Sequence, residues 1–273
     1  MPLEPDPDLD PPRPLLPVPT GELTIAEVDR GAGIRLSLII PTYNEGQNVE
    51  ELVGELAALL DPALAGAYEL IIVDDDSPDR TWAIAQRLTA RYPQLRVLRR
   101  TNERCLSTAV IRGWQAARGE VLGVIDADLQ HPPEITRKLW EEIERGADLA
   151  VGSRHVEGGG VSDWALTRRV LSRGAKLLGL VLLPGVVGRV SDPMSGYFMV
   201  RREALVGAKM DPLGYKILVE VLGRGTIGTI AEVGYVFRER VEGESKVTRR
   251  LYLDYLRHLV RLRLSRPRAP AAR

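Results

Sequence analysis

From residue 36 onward the hydrophobic positions follow two alternating patterns. Short, nearly unbroken apolar runs at 36–40, 69–73, 96–99, 121–125 and 149–153 have strand length. Runs so continuous suit strands buried on both faces rather than strands with one face in water. Between them the apolar residues recur at three- and four-residue intervals, as in Val49, Leu52, Val53, Leu56, Leu59 and Leu60, which predicts a helix over 48–60. Helices over 81–91 and 106–117 follow from the same spacing. Pro132 and Pro133 open another, running to Glu144; proline is tolerated there because first-turn amides have no partner within the helix. Strands and helices alternating at this spacing predict an α/β fold with a mostly parallel central sheet flanked by helices. Beyond 153 the pattern loosens into a glycine-rich loop at 157–160, a basic amphipathic helix over 165–183, and strands at 195–200 and 228–237.

Composition changes this picture mainly at the two ends. Eight of the 19 prolines fall before residue 34, and the first thirty residues carry seven acids against two arginines. Residues 1–33 therefore read as a disordered, acidic, proline-rich extension. The main domain spans 34–247 and is followed by a basic amphipathic helix and tail over 248–273. From Lys246 to Arg273 there are nine Lys/Arg and one acid, Asp254, within a chain of formal net charge zero. Such an end favours anionic partners. Over 249–264, Leu251, Leu253, Leu256, Leu259, Val260 and Leu264 mix with Arg257, Arg261 and Arg263; this pattern suits a membrane-surface helix or a helix packing its apolar stripe on the domain. Nucleic acid is not expected as a partner, since the basic end lacks interleaved aromatics or a known module. The single cysteine, Cys105, excludes an internal disulfide. No apolar run reaches the roughly 18–20 residues of a membrane-spanning helix, so the chain is expected to lie on a bilayer at most.

The polar clusters stand at the carboxyl ends of the expected strands, where ligands bind in open parallel sheets. Val124-Ile125 runs into Asp126-Ala127-Asp128-Leu129-Gln130. In extended backbone, side chains at i, i+2 and i+4 share one side, so Asp126, Asp128 and Gln130 could converge on a hard divalent cation such as Mg²⁺. An acidic turn after a strand is the competing reading. The first strand ends in Pro41-Thr42-Tyr43-Asn44-Glu45-Gly46, without the G-x-G-x-x-G that a dinucleotide fold requires. Tyr43 offers a ring and Glu45 an acceptor for a nucleoside; alternatively, Glu45 simply complements a helix N-terminus. Asp74, Asp75 and Asp76 close the second strand and repel one another unless donors or a ligand offset the cost. Asp76 or Asp79 is expected to cap the helix that begins near Thr81.

Taken in order, 36–41 with Tyr43-Asn44-Glu45, then Ile71 to Asp79, then Asp126-Ala127-Asp128 resemble the GT-A inverting glycosyltransferases, and in particular the dolichol-phosphate (polyprenyl-phosphate) mannose synthases. The resemblance extends over about 36–247 and implies a GT-A fold for that domain. It implies that Pro41, Tyr43, Glu45, Val73 and Asp75 line a nucleoside pocket. Asp126, Ala127, Asp128 and Gln130 would handle the diphosphate and its Mg²⁺ or Mn²⁺, with Asp126, Asp128 and Gln130 as ligands. Arg154, Arg168 and Ser172 would hold a lipid phosphate, and Arg240 and Lys246 would close over the donor diphosphate. Asp126, Asp128, Arg154 and Arg240 would be the catalytic set. Arg168 and Ser172 do share a helix face at i, i+4, which equally suits a solvated basic face. Arg240 and Lys246 lie in a glycine-containing segment that suits a lid or a plain charged loop.

The acceptor so implied shapes the mechanism. A lipid phosphate is already anionic at neutral pH and can attack an anomeric carbon without the general base that a sugar hydroxyl needs. The second-half segment Asp192-Pro193-Met194-Ser195-Gly196 still holds one carboxylate able to act as a base, and no Gln-x-x-Arg-Trp is present. Cys105 and Ser107 stand where many relatives have glycines. The resulting expectation is inverting, metal-dependent mannosyl transfer from GDP-mannose to a polyprenyl phosphate, by a cytoplasmic protein peripheral on the inner face of the membrane. The alternatives are a polyprenyl-phosphate glucosyltransferase using UDP-glucose and a non-catalytic, membrane-associated nucleotide-binding adaptor.

Overall fold

The computed structural model describes residues 11–29, 33–161, 174, 177–238 and 249–265. Every residue of β1 (Leu36–Thr42) and of β2 (Tyr68–Asp74) is buried, as the unbroken apolar runs require. Alternate side chains leave these strands on opposite sides and meet different helices. Ile39, Ile71 and Val73 join one core cluster, while Leu38, Ile40, Leu70 and Ile72 join the other. The second cluster is closed by α1 (Val49–Leu64) and α4 (Ile135–Glu144). The first is closed by α3 (Leu106–Ala116), α6 (Pro184–Val187), α7 (Ile217–Arg224) and α8 (Arg249–Ser265). The remaining elements are α2 (Thr81–Leu88), β3 (Leu95–Arg99), β4 (Val121–Val124), β5 (Leu149–Ser153), β6 (Gly160–Val161), α5 (177–182), β7 (Phe198–Arg201), β8 (Ile230–Gly234) and β9 (Val236–Phe237).

The main sheet has the order β3-β2-β1-β4-β7-β5-β8. All its neighbours are parallel except β7, which runs antiparallel to both β4 and β5. The expected α/β architecture with a mostly parallel sheet is therefore the observed one. The loose second half resolves differently from the sequence pattern. The strand expected at 195–200 begins only at Phe198, the run 228–237 divides into β8 and β9, and α7 lies in a stretch that periodicity did not single out. Most of the amphipathic helix expected over 165–183 falls outside the described residues.

The disorder expected over 1–33 does not extend to 11–29. Leu16 N–H donates to Val97 O at 2.7 Å and bridges Leu98, adding to the open edge of β3. The segment then crosses α3, where Arg112 and Gln115 donate to the carbonyls of Gly21, Glu22 and Thr24. It ends against the turn after β7, with Met210 N–H bonded to Leu23 O and Arg202 Nη1 to Ala26 O. Prolines fit an extended strap that forms no ladder of its own, and single anchors replace a periodic stripe. Ile25, 2% exposed, is one of these anchors. Ile25→Ala is expected to destabilise the protein by about 2–4 kcal/mol, measured as a lower denaturant midpoint at unchanged slope; a dispensable tail would give no shift.

α8 is likewise part of the domain. Tyr255, His258, Leu259 and Leu262 are buried. His258 Nε2 lies 2.7 Å from Glu220 Oε2, and Glu220 also accepts from Arg224 Nε and Asp211 N–H. Burial alone would raise the Glu220 carboxyl, but these donors hold it below the usual carboxylate range.

Candidate active site at the carboxyl edge of the sheet

The loops after β1, β2, β4, β5 and β8 leave one edge of the sheet, and the antiparallel β7 brings its preceding loop, 192–197, to that same edge. Backbone strain concentrates there. Of the five described non-glycine residues with positive φ, Asn44, Asp76, Arg80 and Leu129 lie in these loops, a conformation that costs energy and needs support from its surroundings.

The carboxylates after β2 have separate tasks. Asp74 is fully buried and accepts from Thr42 Oγ1 at 2.8 Å, Ser77 N at 2.8 Å and Ser77 Oγ at 2.6 Å, which ties the β1 and β2 loops together. Asp75 accepts from Arg100 Nε at 2.7 Å and Cys105 N–H at 2.9 Å. Burial outweighs the attraction of Arg100, and the Asp75 carboxyl stands above its ordinary value. Asp76 pairs with Arg99. Asp79, not Asp76, receives the helix-start N–H of Thr81, at 3.0 Å. These donors offset the repulsion expected of three adjacent acids.

Tyr43 lies under the Arg104 guanidinium, 3.6 Å from its ring centroid. Glu45 accepts from Asn48 Nδ2 at 2.9 Å, and its backbone carbonyl accepts from the first amides of α1, so Glu45 does stand at a helix start. Pro41 and Val73 are buried beneath this corner, and Ala127 is buried after β4. The residues expected around a nucleoside are thus grouped on adjacent strand ends.

The acidic pair is built differently from its expected geometry. β4 stops at Val124, and Leu129 has φ 57°, so side chains 126, 128 and 130 are not aligned by an extended strand. Gln130 is oriented instead by Arg238, whose backbone O accepts from Nε2 at 3.0 Å and whose N–H donates to Gln130 O at 2.9 Å. This contact commits the Gln130 amide nitrogen and fixes the orientation of the side chain. Asp126 is held from two sides. Its Oδ2 lies 3.4 Å from His131 Nε2, and a Cβ at Gly196 would come to 3.0 Å from the same oxygen, so a larger residue there would have to push the carboxylate aside by a few tenths of an ångström. Asp126 Oδ1 is buried and has no hydrogen-bond partner among the described residues. The orphaned Asp126 oxygen, with the Asp128 carboxylate and the Gln130 amide two and four residues further on, supplies oxygens of the kind that hold a hard divalent ion. Among the described residues no group of three or more His, Cys, Asp or Glu forms a metal cluster, so any such ion would rely on two carboxylates and the amide.

His131 is 3% exposed and sits in a box of Tyr197, Tyr235 and Phe237, with ring centroids 5.1–5.4 Å away. Arg154 forms a bidentate pair with Asp192, Nε to Oδ2 at 2.6 Å and Nη2 to Oδ1 at 2.8 Å. The pair is nearly inaccessible, and Asp126 adds to the field that favours the guanidinium charge. Burial alone would raise Asp192, yet Arg154 holds it below the usual carboxylate range. Gly159 packs against backbone atoms of 153–156 with no room for a Cβ, so the glycine-rich loop folds tightly behind Arg154.

The structure therefore gathers Pro41, Tyr43, Glu45, Val73, Asp75, Asp126, Ala127, Asp128, Gln130 and Arg154 at one edge. Arg168, Ser172, Arg240 and Lys246 lie outside the described residues. Sequence reasoning missed Arg100, Arg104, His131 and the aromatic box. Of these, only His131, directly after Gln130, carried a local signal.

Comparison with known proteins gives a consistent picture. The sequence profile described as glycosyl transferase family 2 matches residues 37–206. The dolichol-phosphate mannosyltransferase of Pyrococcus furiosus is 48% identical over 230 residues, covering 84% of this chain; the chain spans 64% of that relative's length. The dolichol-phosphate mannosyltransferase of Saccharomyces cerevisiae is 37% identical, with 84% of this chain and 87% of the relative covered. Among solved structures, glucosyl-3-phosphoglycerate synthase from Mycobacterium tuberculosis, in complex with Mn²⁺, UDP-glucose and phosphoglyceric acid, superposes with a TM-score of 0.65. It shares 21% identity, over 87% of this chain and 82% of that one. At that identity the likeness concerns the fold.

Proposed function

This chain belongs to glycosyl transferase family 2 and has the GT-A fold, and from that premise we propose that it transfers mannose from GDP-mannose to a polyprenyl phosphate with inversion. The 48% identity to a dolichol-phosphate mannosyltransferase over most of the chain supports this sugar and acceptor. Tyr43 and Asp75 would hold the nucleoside. Asp126, Asp128 and Gln130 would hold Mg²⁺ or Mn²⁺, which supplies charge neutralisation for the departing nucleoside diphosphate. Arg240 and Lys246 would add to that neutralisation, and Arg154, Arg168 and Ser172 would receive the lipid phosphate.

The observation that carries the reading is the state of Asp192. It is the carboxylate of the second-half loop, and Arg154 engages both of its oxygens. Held below its ordinary range, it is a poor proton acceptor. A hydroxyl acceptor needs such a base; a phosphate, ionised at neutral pH, does not. The acceptor is a lipid, so the protein would work as a peripheral protein on the cytoplasmic face of the membrane. Among the described residues no helix is long and apolar enough to cross it.

The test offers purified protein, Mn²⁺ and polyprenyl phosphate either labelled GDP-mannose or labelled UDP-glucose. Lipid-linked product is expected from GDP-mannose alone. Product from UDP-glucose alone overturns the sugar assignment, and no product from either, with nucleotide binding intact, leaves a non-catalytic binding protein.

A further inference from the structure

A line of alternating charges runs from Asp75, just after β2, to the strap that crosses α3. Asp75 accepts from Arg100 Nε at 2.7 Å, and Arg100 Nη1 donates to Glu103 Oε2 at 2.9 Å. The other Glu103 oxygen, Oε1, accepts from Arg112 Nη2 at 3.1 Å, and that same nitrogen donates to Gly21 O of the strap at 3.2 Å. Arg112 Nη1 donates to Gln115 Oε1 at 2.9 Å, and Gln115 Nε2 donates to the strap carbonyls of Glu22 and Thr24 at 2.8 and 3.1 Å. Two acids and two arginines thus alternate along a path that begins at the nucleoside corner and ends on residues 21–24.

Charge satisfaction alone does not account for this path. The side chains of Arg100 and Arg112 are almost inaccessible and so need partners. Glu103 does not need both of them: its side chain is 38% exposed, and water could solvate it. Its two oxygens nevertheless bridge the two arginines, which restrains the segment 100–105. Beyond Arg104, Cys105 N–H donates to Asp75 Oδ2 at 2.9 Å and Cys105 O accepts from Arg100 Nη2 at 3.0 Å. Arg104, whose guanidinium covers the Tyr43 ring, is therefore flanked on both sides by anchored residues. The strap gives this path only backbone carbonyls, the first from Gly21 at φ 83°.

We propose that the strap is a remote part of the donor site and that Glu103 and Arg112 are positioning residues. They pass its anchorage to the segment 100–105 and so set how firmly Asp75 and Arg104 hold the nucleoside. The proposal rests on the reading of this corner as the nucleoside pocket. The nucleoside lies away from the anomeric carbon, so a looser grip weakens ground state and transition state alike. That raises KM for the nucleotide sugar and leaves kcat unchanged.

Three variants cut the path at different points. Glu103→Gln removes an acid at nearly constant shape, and Arg112→Met keeps the packing stem without the charged fork. Gly21→Val acts on the strap alone: a Cβ there meets nothing within 4 Å, but a β-branched residue is strained at positive φ, so the carbonyl must turn. Each is expected to weaken binding of GDP with Mn²⁺, measured by calorimetry, about tenfold, and to raise KM for GDP-mannose by a similar factor. kcat and the KM for polyprenyl phosphate should stay within about twofold of wild type. Glu103→Gln combined with Arg112→Met should be no worse than either alone, since both break one path. If one variant fails to fold, the remaining two decide. A purely structural role would lower the melting temperature and leave nucleotide affinity of the folded protein unchanged, and that result overturns the proposal. So does wild-type affinity in Gly21→Val, which would end the strap's part. Parallel titrations with UDP separate the two readings. Weaker UDP binding by the variants, in a protein whose wild type ignores GDP, keeps the strap's role and sinks the donor assignment. A wild type that binds neither nucleotide removes the pocket and the proposal together.

Discussion

Asp126→Asn is expected to lower the rate of mannosyl transfer by about 100- to 1000-fold, the cost typical of removing one preorganised stabiliser of developing charge. The fold should hardly notice. Among the described residues Asp126 Oδ1 makes no hydrogen bond, and Oδ2 lies 3.4 Å from His131 Nε2, beyond normal hydrogen-bond length. The substitution removes a charge confined in this corner without removing a structural bond, so the melting temperature should stay within a few degrees of wild type. A second readout does not depend on turnover: Mn²⁺ should raise the melting temperature of wild type by mass action and leave the variant nearly unmoved. Activity within tenfold of wild type, or an unchanged Mn²⁺ response, would rule out a role for this carboxylate in holding the ion.

Asp192→Ala is expected to act in the opposite sense, on stability first. It strands the Arg154 guanidinium in a site where the pair is almost fully buried, and breaking such a pair from one side costs about 3–5 kcal/mol. Combining it with Arg154→Met should recover part of that loss, because the cost lies in the abandoned charge. The pair also predicts a pH signature. The Asp192 carboxyl is lowered from its ordinary value of 3.8, so its contribution is fully present above about pH 4 and is lost as pH falls through the folded value. Below pH 4, wild-type stability should therefore fall more steeply than that of Asp192→Ala. Urea titrations at pH 3 to 7 measure both; parallel curves for the two proteins would mean that the bidentate pair carries no net stability.

Much of the sheet was legible because its strands are buried on both faces and so appear as unbroken apolar runs. β1 and β2 follow those runs, as does the burial of α1 through Val49, Leu52, Val53, Leu56 and Leu60. The carboxyl-edge clusters were legible because polar residues directly after such runs have few other places to go. What escaped depends on contacts between distant segments. The 11–29 strap has isolated anchors and backbone hydrogen bonds to α3 and to the turn after β7, which leave no period to read. His131 looks like any lone histidine until the loops carrying Tyr197, Tyr235 and Phe237 enclose it. The alignment of Asp126, Asp128 and Gln130 assumed an extended backbone, and the left-handed Leu129 breaks that assumption. Gln130 is fixed by Arg238, 108 residues away.

The reversed direction of β7 divides this enzyme into two parts that can change independently. The parallel strands β1 and β2 carry the loops proposed to hold the nucleoside on one side of β4. The 192–197 loop enters from the other direction, through the antiparallel β7, so insertions upstream of Phe198 can reshape the ground facing Asp126 without touching that proposed nucleoside corner. One scaffold could thereby keep its donor while descendants acquire new acceptors.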